Sequence, residues 1–174
     1  LEQEIAVFDR SDRPDFDIIE GIVDYFRSYP AQCHHPKEDL LFAELKARDP
    51  GGAAGIIDIE AEHGQAARRL ERFARLVGEV LDDQPIARGV LDAAVREFVE
   101  HERRHMELEE RELLPNALAS LHAEDWADLD ARLADTRDPL FSREAEAGFE
   151  QLKQRIARWE RENQADRARL SQGR

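Results

Sequence analysis

The chain has 174 residues, 39 acidic and 25 basic, and its formal net charge of −14 argues against nucleic acid and anionic membrane surfaces as partners while favouring cations. Its length fits one domain whose core needs no disulfides, and its single cysteine, Cys33, suits a reducing compartment. Because no apolar run approaches the roughly 18 residues of a transmembrane helix and no signal-peptide core is visible, we expect a cytoplasmic protein.

The first third of the chain predicts helices that are separated by prolines. Residues 1–8 carry apolar side chains at helical spacing, and we interpret them as the last turns of a first helix whose front is missing. After a proline-containing break, a second apolar stripe covers 16–26 until Pro30, where we expect a kink or a break. A new helical stretch that begins near Cys33 tolerates Pro36 in its first turn.

Two turn sequences divide the rest of the chain into long helices. The segments 49–52 and 82–85 contain aspartate and proline, and the stretches that follow each of them carry the apolar spacing of a helix. Short turns imply antiparallel neighbours. Pro115 falls late in the fourth long helix, and a last helix is expected from Ser142 through Trp159, packed outside the bundle. No strand-period alternation appears, so the sequence predicts an all-α fold.

Two histidine–glutamate pairs, His34 with Glu38 and His105 with Glu109, lie four residues apart and therefore share a helix face. Apolar residues continue both faces, so we expect both pairs to point inward. Burying a carboxylate costs several kcal/mol unless it is paired or coordinates a cation. A cation shared between the two helices removes this penalty, and the spacing therefore predicts a metal site.

Further histidines extend the predicted metal site. His63 lies on the inward stripe of the intervening helix, so that three helices supply ligands. His101, one turn before His105, is expected either to bind metal or to hold a hydrogen bond to a ligand. Glu60, three residues before His63, is interpreted as a hydrogen-bonding or solvent-facing group. Structural or solvated roles are expected for His35, Glu110 and Cys33.

In their order and spacing, these motifs make residues 15–115 resemble the hemerythrin-like (HHE cation-binding) family, and Leu114-Pro115 closes the last motif as in that family. The resemblance implies an antiparallel up-and-down four-helix bundle that holds a non-haem di-iron centre. Carried over position by position, it gives His34, His63 and His105 as terminal ligands and Glu38 and Glu109 as the carboxylates that bridge the two iron ions.

The chain departs from the family pattern at its first helix. That helix usually contributes another histidine, and here no histidine precedes His34, so one iron ligand is unaccounted for. We expect the bundle to span 1–135, with an additional C-terminal helix and a polar tail in 136–174. Iron is the expected metal and zinc or manganese its substitutes, because imidazole and carboxylate ligands suit all three.

The function that the resemblance implies is binding or sensing of O2, nitric oxide or iron, in the oxidative or nitrosative stress response or in iron homeostasis. Two alternatives stay open. One is a di-iron enzyme of the oxidase or peroxidase type, and the other is a helical interaction module whose metal site is structural or vestigial. A protein partner or a homo-oligomer is compatible with each of them.

Overall fold

The computed structural model describes residues 15–133 and, beyond them, 150, 154, 156–158, 161 and 162, leaving aside the side chains of Gln32 and Cys33. The expected all-α fold is confirmed, since helices account for nearly all of this part of the chain. The helices are α1 (Phe16–Tyr29), α2 (His35–Arg48), α3 (Ile59–Leu81), α4 (Arg88–Leu108), α5 (Leu114–Ser120) and α6 (Ala123–Leu133), with a short helical turn at Pro50–Ala53.

Aspartates set the beginnings of several helices. A side-chain oxygen of Asp15 accepts a hydrogen bond from the Ile18 N–H at 3.2 Å, and Asp58 does the same for the first turn of α3. These bonds satisfy backbone donors that have no partner within the helix. After α3, Asp83 adopts a positive φ of 55°, a conformation that aspartate tolerates better than most residues, and the chain turns back there.

Two π-helical turns join neighbouring helices into longer runs. The turn Pro30–His34 connects α1 to α2, and the turn Glu109–Leu113 connects α4 to α5. The kink or break expected at Pro30 is therefore a widened turn within a continuous helical run. Three runs result, 16–48, 59–81 and 88–120, and the predicted turns between them make neighbouring runs antiparallel.

The runs bury two separate apolar cores. The first is formed by α1, the second half of α3 and the first half of α4, around Phe73 and Phe98. The second is formed by α2, the start of α3, α5 and α6, around Leu45 and Leu113. Between them lies a polar layer that contains every buried polar or charged residue within the described part of the chain: Glu38, His63, His101, His105 and Glu109.

Some features that the sequence predicts lie outside the residues that the structure describes. The predicted first helix in 1–8 lies outside the described residues, as does the predicted helix from Ser142 to Trp159 apart from isolated positions. The expected boundary at residue 135, between the bundle and the C-terminal segment, also lies outside the described residues. Among the helices that the structure describes, none is both long and apolar enough to cross a membrane.

Candidate metal centre

The centre of the polar layer brings together four ionisable side chains from three helical runs. Glu38 comes from α2, His63 from α3, His105 from α4, and Glu109 from the π-helical turn after α4. One nitrogen or carboxylate oxygen from each lies within 4.8 Å of the others, and all four side chains are buried. His35, His63 and His105 form a second such group.

The Glu38 carboxylate lies in the middle of these contacts. Its Oε1 is 3.1 Å from Nε2 of His34, and its Oε2 is 3.2 Å from Nε2 of His63 and 4.0 Å from Nε2 of His105. Burial raises the pKa of this carboxyl, but the contacts with His34 and His63 outweigh burial and lower the pKa of Glu38 to about 2. Glu38 is therefore negatively charged at neutral pH.

His105 and Glu109 face each other without a proper hydrogen bond. Nε2 of His105 lies 2.7 Å from Oε1 of Glu109, yet neither atom has a hydrogen-bond partner among the described residues, and neither does Nδ1 of His105. Buried polar atoms are rarely left in this state, because their desolvation is then uncompensated. A cation between these groups would satisfy them, and imidazole nitrogen with carboxylate oxygen suits iron, manganese or zinc.

Asp39 orients the His63 ring, a role that sequence reasoning missed. The Nδ1–H of His63 donates to Oδ1 of Asp39 at 2.8 Å, which fixes the ring so that its Nε2 faces the Glu38 carboxylate at 3.2 Å. Carboxylates commonly hold metal-binding histidines in this way. No spacing rule relates Asp39 to His63, which lies 24 residues later on another helix, so only its position next to Glu38 hinted at the site.

The two adjacent histidines of α2 and its preceding turn occupy the reverse of their expected positions. His34, expected to point inward with Glu38, touches that carboxylate from the edge of the layer, and its side chain is 42% exposed. His35, expected to face elsewhere, stacks on the His63 ring at 4.0 Å between centroids. Burial and the neighbouring His63 lower the pKa of His35 to about 3, so its ring is neutral.

The reason for this reversal lies in the π-helical turn. A π turn has more residues than an α turn, so the side chains that follow it are rotated relative to an uninterrupted α-helix. His34 ends the turn Pro30–His34, and α2 begins at His35. The spacing of four between His34 and Glu38 correctly predicts their contact, but it does not predict which histidine faces the interior.

His101 is buried beside the four-residue group rather than within it. Its Nε2–H donates to the backbone carbonyl of Glu62 at 3.2 Å, and its ring lies parallel to that of His105 with 6.4 Å between centroids. Burial lowers the pKa of His101, which keeps the ring neutral. Glu60 and Glu110 are both exposed, in keeping with the roles expected for them.

A small cavity of about 120 Å³ lies against His35. Its walls are mainly apolar and include Phe26, Leu70 and Phe98, with the Glu102 carboxyl among them. Arg27 and Glu71 also line the cavity and join α1 to α3 through two hydrogen bonds of 2.8 and 2.6 Å. A larger open depression of about 680 Å³ on the outer side of α3 includes none of the four central residues.

Comparison with known proteins agrees with this geometry. The family model described as the hemerythrin HHE cation binding domain matches residues 2–117, a range that contains all four central side chains. No curated protein and no solved structure matched the chain significantly.

Proposed function

Because the chain belongs to the hemerythrin HHE cation-binding family, we propose that it is a non-haem di-iron protein that binds or senses O2 or nitric oxide. Membership of the family, together with the buried His/Glu group, indicates cation binding. The observation that carries the proposal is that His105 and Glu109 keep buried nitrogen and oxygen atoms without hydrogen-bond partners among the residues that the structure describes. These two side chains face Glu38 and His63 across a buried layer.

In the proposed centre, the carboxylates of Glu38 and Glu109 and the imidazoles of His63 and His105 would together hold the metal ions. His34 and His35 flank Glu38 and would supply the remaining nitrogen donors from α2 and its preceding turn. Of the two roles expected for His101, its hydrogen bond to the Glu62 carbonyl supports the positioning one. When bound, ferrous iron supplies a centre that reacts with small diatomic molecules, whereas zinc would bind without redox chemistry.

The protein's own residues prepare this site. Asp39 fixes the His63 ring with Nε2 toward the centre, and Glu38 stays ionised and so neutralises part of the metal charge. His35 remains a neutral imidazole with a lone pair to offer. These properties hold the Glu38 carboxylate and the His35 imidazole in a form that is ready to coordinate at neutral pH.

The size of the neighbouring cavity supports a diatomic ligand. Pockets for organic ligands of drug size usually span roughly 300–1,000 Å³, whereas the cavity beside His35 has about 120 Å³. Its apolar walls disfavour charged molecules and leave room for a small neutral one. A bulky organic substrate would need a different entrance.

An oxidase or peroxidase activity is the second candidate, and Glu102 favours it. This carboxyl lines the same cavity, and burial raises its pKa, so it is more readily protonated than an exposed glutamate. A protonated carboxyl next to a reacting molecule can act as a general acid. Turnover of peroxide by the iron-loaded protein would support this alternative over simple binding.

The test is anaerobic loading with ferrous iron, followed by metal analysis and optical spectra before and after addition of nitric oxide or O2. We expect about two iron ions per chain, as in two-metal sites generally, and new absorption bands that reverse when the gas is removed. The matched variants are Glu109→Ala, which should lose at least one ion, and Glu110→Ala, which should change little. Consistent binding of less than one ion per chain, with no competing metal, would overturn the proposal.

A further inference from the structure

Both tyrosines of the chain lie in one row that leads to the candidate metal centre. The chain has only two, Tyr25 and Tyr29, one helical turn apart on α1, and their ring centroids are 5.8 Å apart. The Tyr29 ring is nearly parallel to that of His34, with 6.2 Å between centroids. His34 in turn lies 3.1 Å from the Glu38 carboxylate, so the row continues into the centre.

The outer end of this row reaches the protein surface. Tyr25 and Tyr29 are both half-buried, and the neighbouring residues Asp24 and Arg27 are exposed. Burial, followed by the neighbouring Tyr29, raises the pKa of Tyr25, so its phenol carries its proton at neutral pH. A small reductant in solution can therefore approach a neutral phenol that is in ring contact with the next group inward.

Tyrosine and tryptophan are the aromatic side chains that lose a single electron most readily to form radicals. The nearby Phe26 packs on Phe98 and does not share this property, since a phenyl ring has no phenolic proton to release. Trp126 packs against the second apolar core, among residues of α2, α5 and α6. Among the residues that the structure describes, Tyr25 and Tyr29 are thus the oxidisable aromatic residues in line with His34.

We infer that Tyr29 and Tyr25 form a one-electron relay between the candidate metal centre and the surface of α1. This inference rests on the proposed function, because it needs a redox-active metal in the polar layer. Each tyrosine that is oxidised gives its electron inward and releases its phenolic proton to solvent. Two such oxidations, with two protons taken up, reduce one hydrogen peroxide to two waters, and a one-electron reductant in solution then restores each phenol.

A purely structural role makes a different prediction. Aromatic side chains four residues apart stabilise a helix slightly through their contact, and phenylalanine would serve that role as well as tyrosine. Tyr→Phe substitutions preserve the ring and remove only the phenolic oxygen. They therefore separate electron transfer from packing.

The experiment mixes iron-loaded protein with an excess of hydrogen peroxide, so that peroxide remains after any ferrous iron has been oxidised, freezes the mixture within milliseconds and records the electron paramagnetic resonance spectrum. We expect a tyrosyl signal, identified by its change when the protein is grown with ring-deuterated tyrosine. Tyr29→Phe should reduce the signal at least tenfold, Tyr25→Phe should leave a signal from Tyr29 that ascorbate quenches at least tenfold more slowly, and the double variant should show none. Trp126→Phe is the matched control and should behave as wild type.

Metal analysis and nitric oxide spectra of the same samples separate the two proposals. Iron-loaded wild type that binds nitric oxide but gives no tyrosyl signal would overturn the relay and leave the proposed function standing. A full signal in Tyr29→Phe, or loss of signal in Trp126→Phe alone, would also overturn the relay. Failure of the chain to load iron would reject both.

Discussion

The polar layer and most of the two apolar cores are built by the same three helical runs, but their buried groups are satisfied in different ways. In the cores, side chains such as Phe73, Phe98 and Leu45 are completely or almost completely enclosed, and packing alone satisfies them. In the layer, His105 and Glu109 are also buried but keep polar atoms without hydrogen-bond partners among the described residues. The cores therefore hold the fold, whereas the layer needs a further component.

This difference indicates that the two apolar cores stabilise the fold and that the polar layer between them serves a function. Buried charges stabilise a fold weakly at best, because desolvation offsets most of their attraction. A layer of five buried polar residues between two apolar cores is thus difficult to explain as a stabilising element. It is readily explained as a binding site whose scaffold is stabilised on both sides, and this contrast leads to measurable predictions.

The largest effect is expected in the apolar cores. Phe73→Ala removes a completely buried ring that stacks on Phe98, and such truncations typically lower the free energy of unfolding by about 3–5 kcal/mol. Urea unfolding of the metal-free protein measures this change. Leu118→Ala, at a position that is 72% exposed, is the control and should stay within about 0.5 kcal/mol of wild type. Equal losses in the two variants would contradict the assignment of the core.

The next effect is expected from metal binding in the layer. A ligand that binds only the folded state raises the free energy of unfolding by about 2.7 kcal/mol when its free concentration is about 100 times its dissociation constant. Ferrous iron should therefore raise the melting temperature of wild type and of Glu110→Ala under anaerobic conditions, and a chelator should reverse the rise. Glu109→Ala should show a much smaller rise. An iron-induced increase that is the same in all three proteins would argue that the metal binds elsewhere.

A third prediction asks whether the layer weakens the metal-free fold. Replacing a buried ion pair by apolar side chains of similar volume is often neutral or stabilising by about 1–4 kcal/mol. The double variant His105→Leu/Glu109→Leu should accordingly be at least as stable as wild type in urea with chelator present, while it loses iron binding. Glu109→Leu alone leaves His105 buried without its carboxylate and should be less stable than the double variant. A double variant that is less stable by more than about 1 kcal/mol would mean that the pair stabilises the fold.

Much of this arrangement follows from sequence periodicity. The turns at 49–52 and 82–85 and the inward positions of His63, His105 and Glu109 are as expected, because helical spacing determines which side chains share a face. These features depend on local geometry and on the separation of polar from apolar residues. They need no knowledge of how the helices pack.

The remaining features depend on geometry that the sequence does not display. The proline at position 30 suggested a break, but a π-helical turn accommodates it and changes which of His34 and His35 faces inward. The partnership of Asp39 with His63 arises only when α2 packs beside α3. Both cases involve a choice between neighbouring residues of similar chemistry, which packing decides and spacing does not.

The smallest predicted effect concerns acid lability at the end of the second core, where Arg48 of α2 binds Asp125 of α6. Two guanidinium nitrogens lie 2.6 and 2.9 Å from the carboxylate oxygens, and the backbone N–H of His122 donates to the same group at 2.7 Å. Arg48 first, and this N–H second, lower the pKa of Asp125 below its ordinary value. The carboxylate therefore stabilises the folded state above the unfolded pKa of about 3.9, and this contribution disappears as the pH falls through the lower folded-state pKa.

Asp125→Asn should thus lose less stability than wild type between about pH 7 and about pH 3, measured by urea unfolding with chelator present. Asp130→Asn, at an exposed position of the same helix, should follow the wild-type pH dependence, and an Asp125→Asn profile parallel to wild type would show that this ion pair contributes nothing to acid lability.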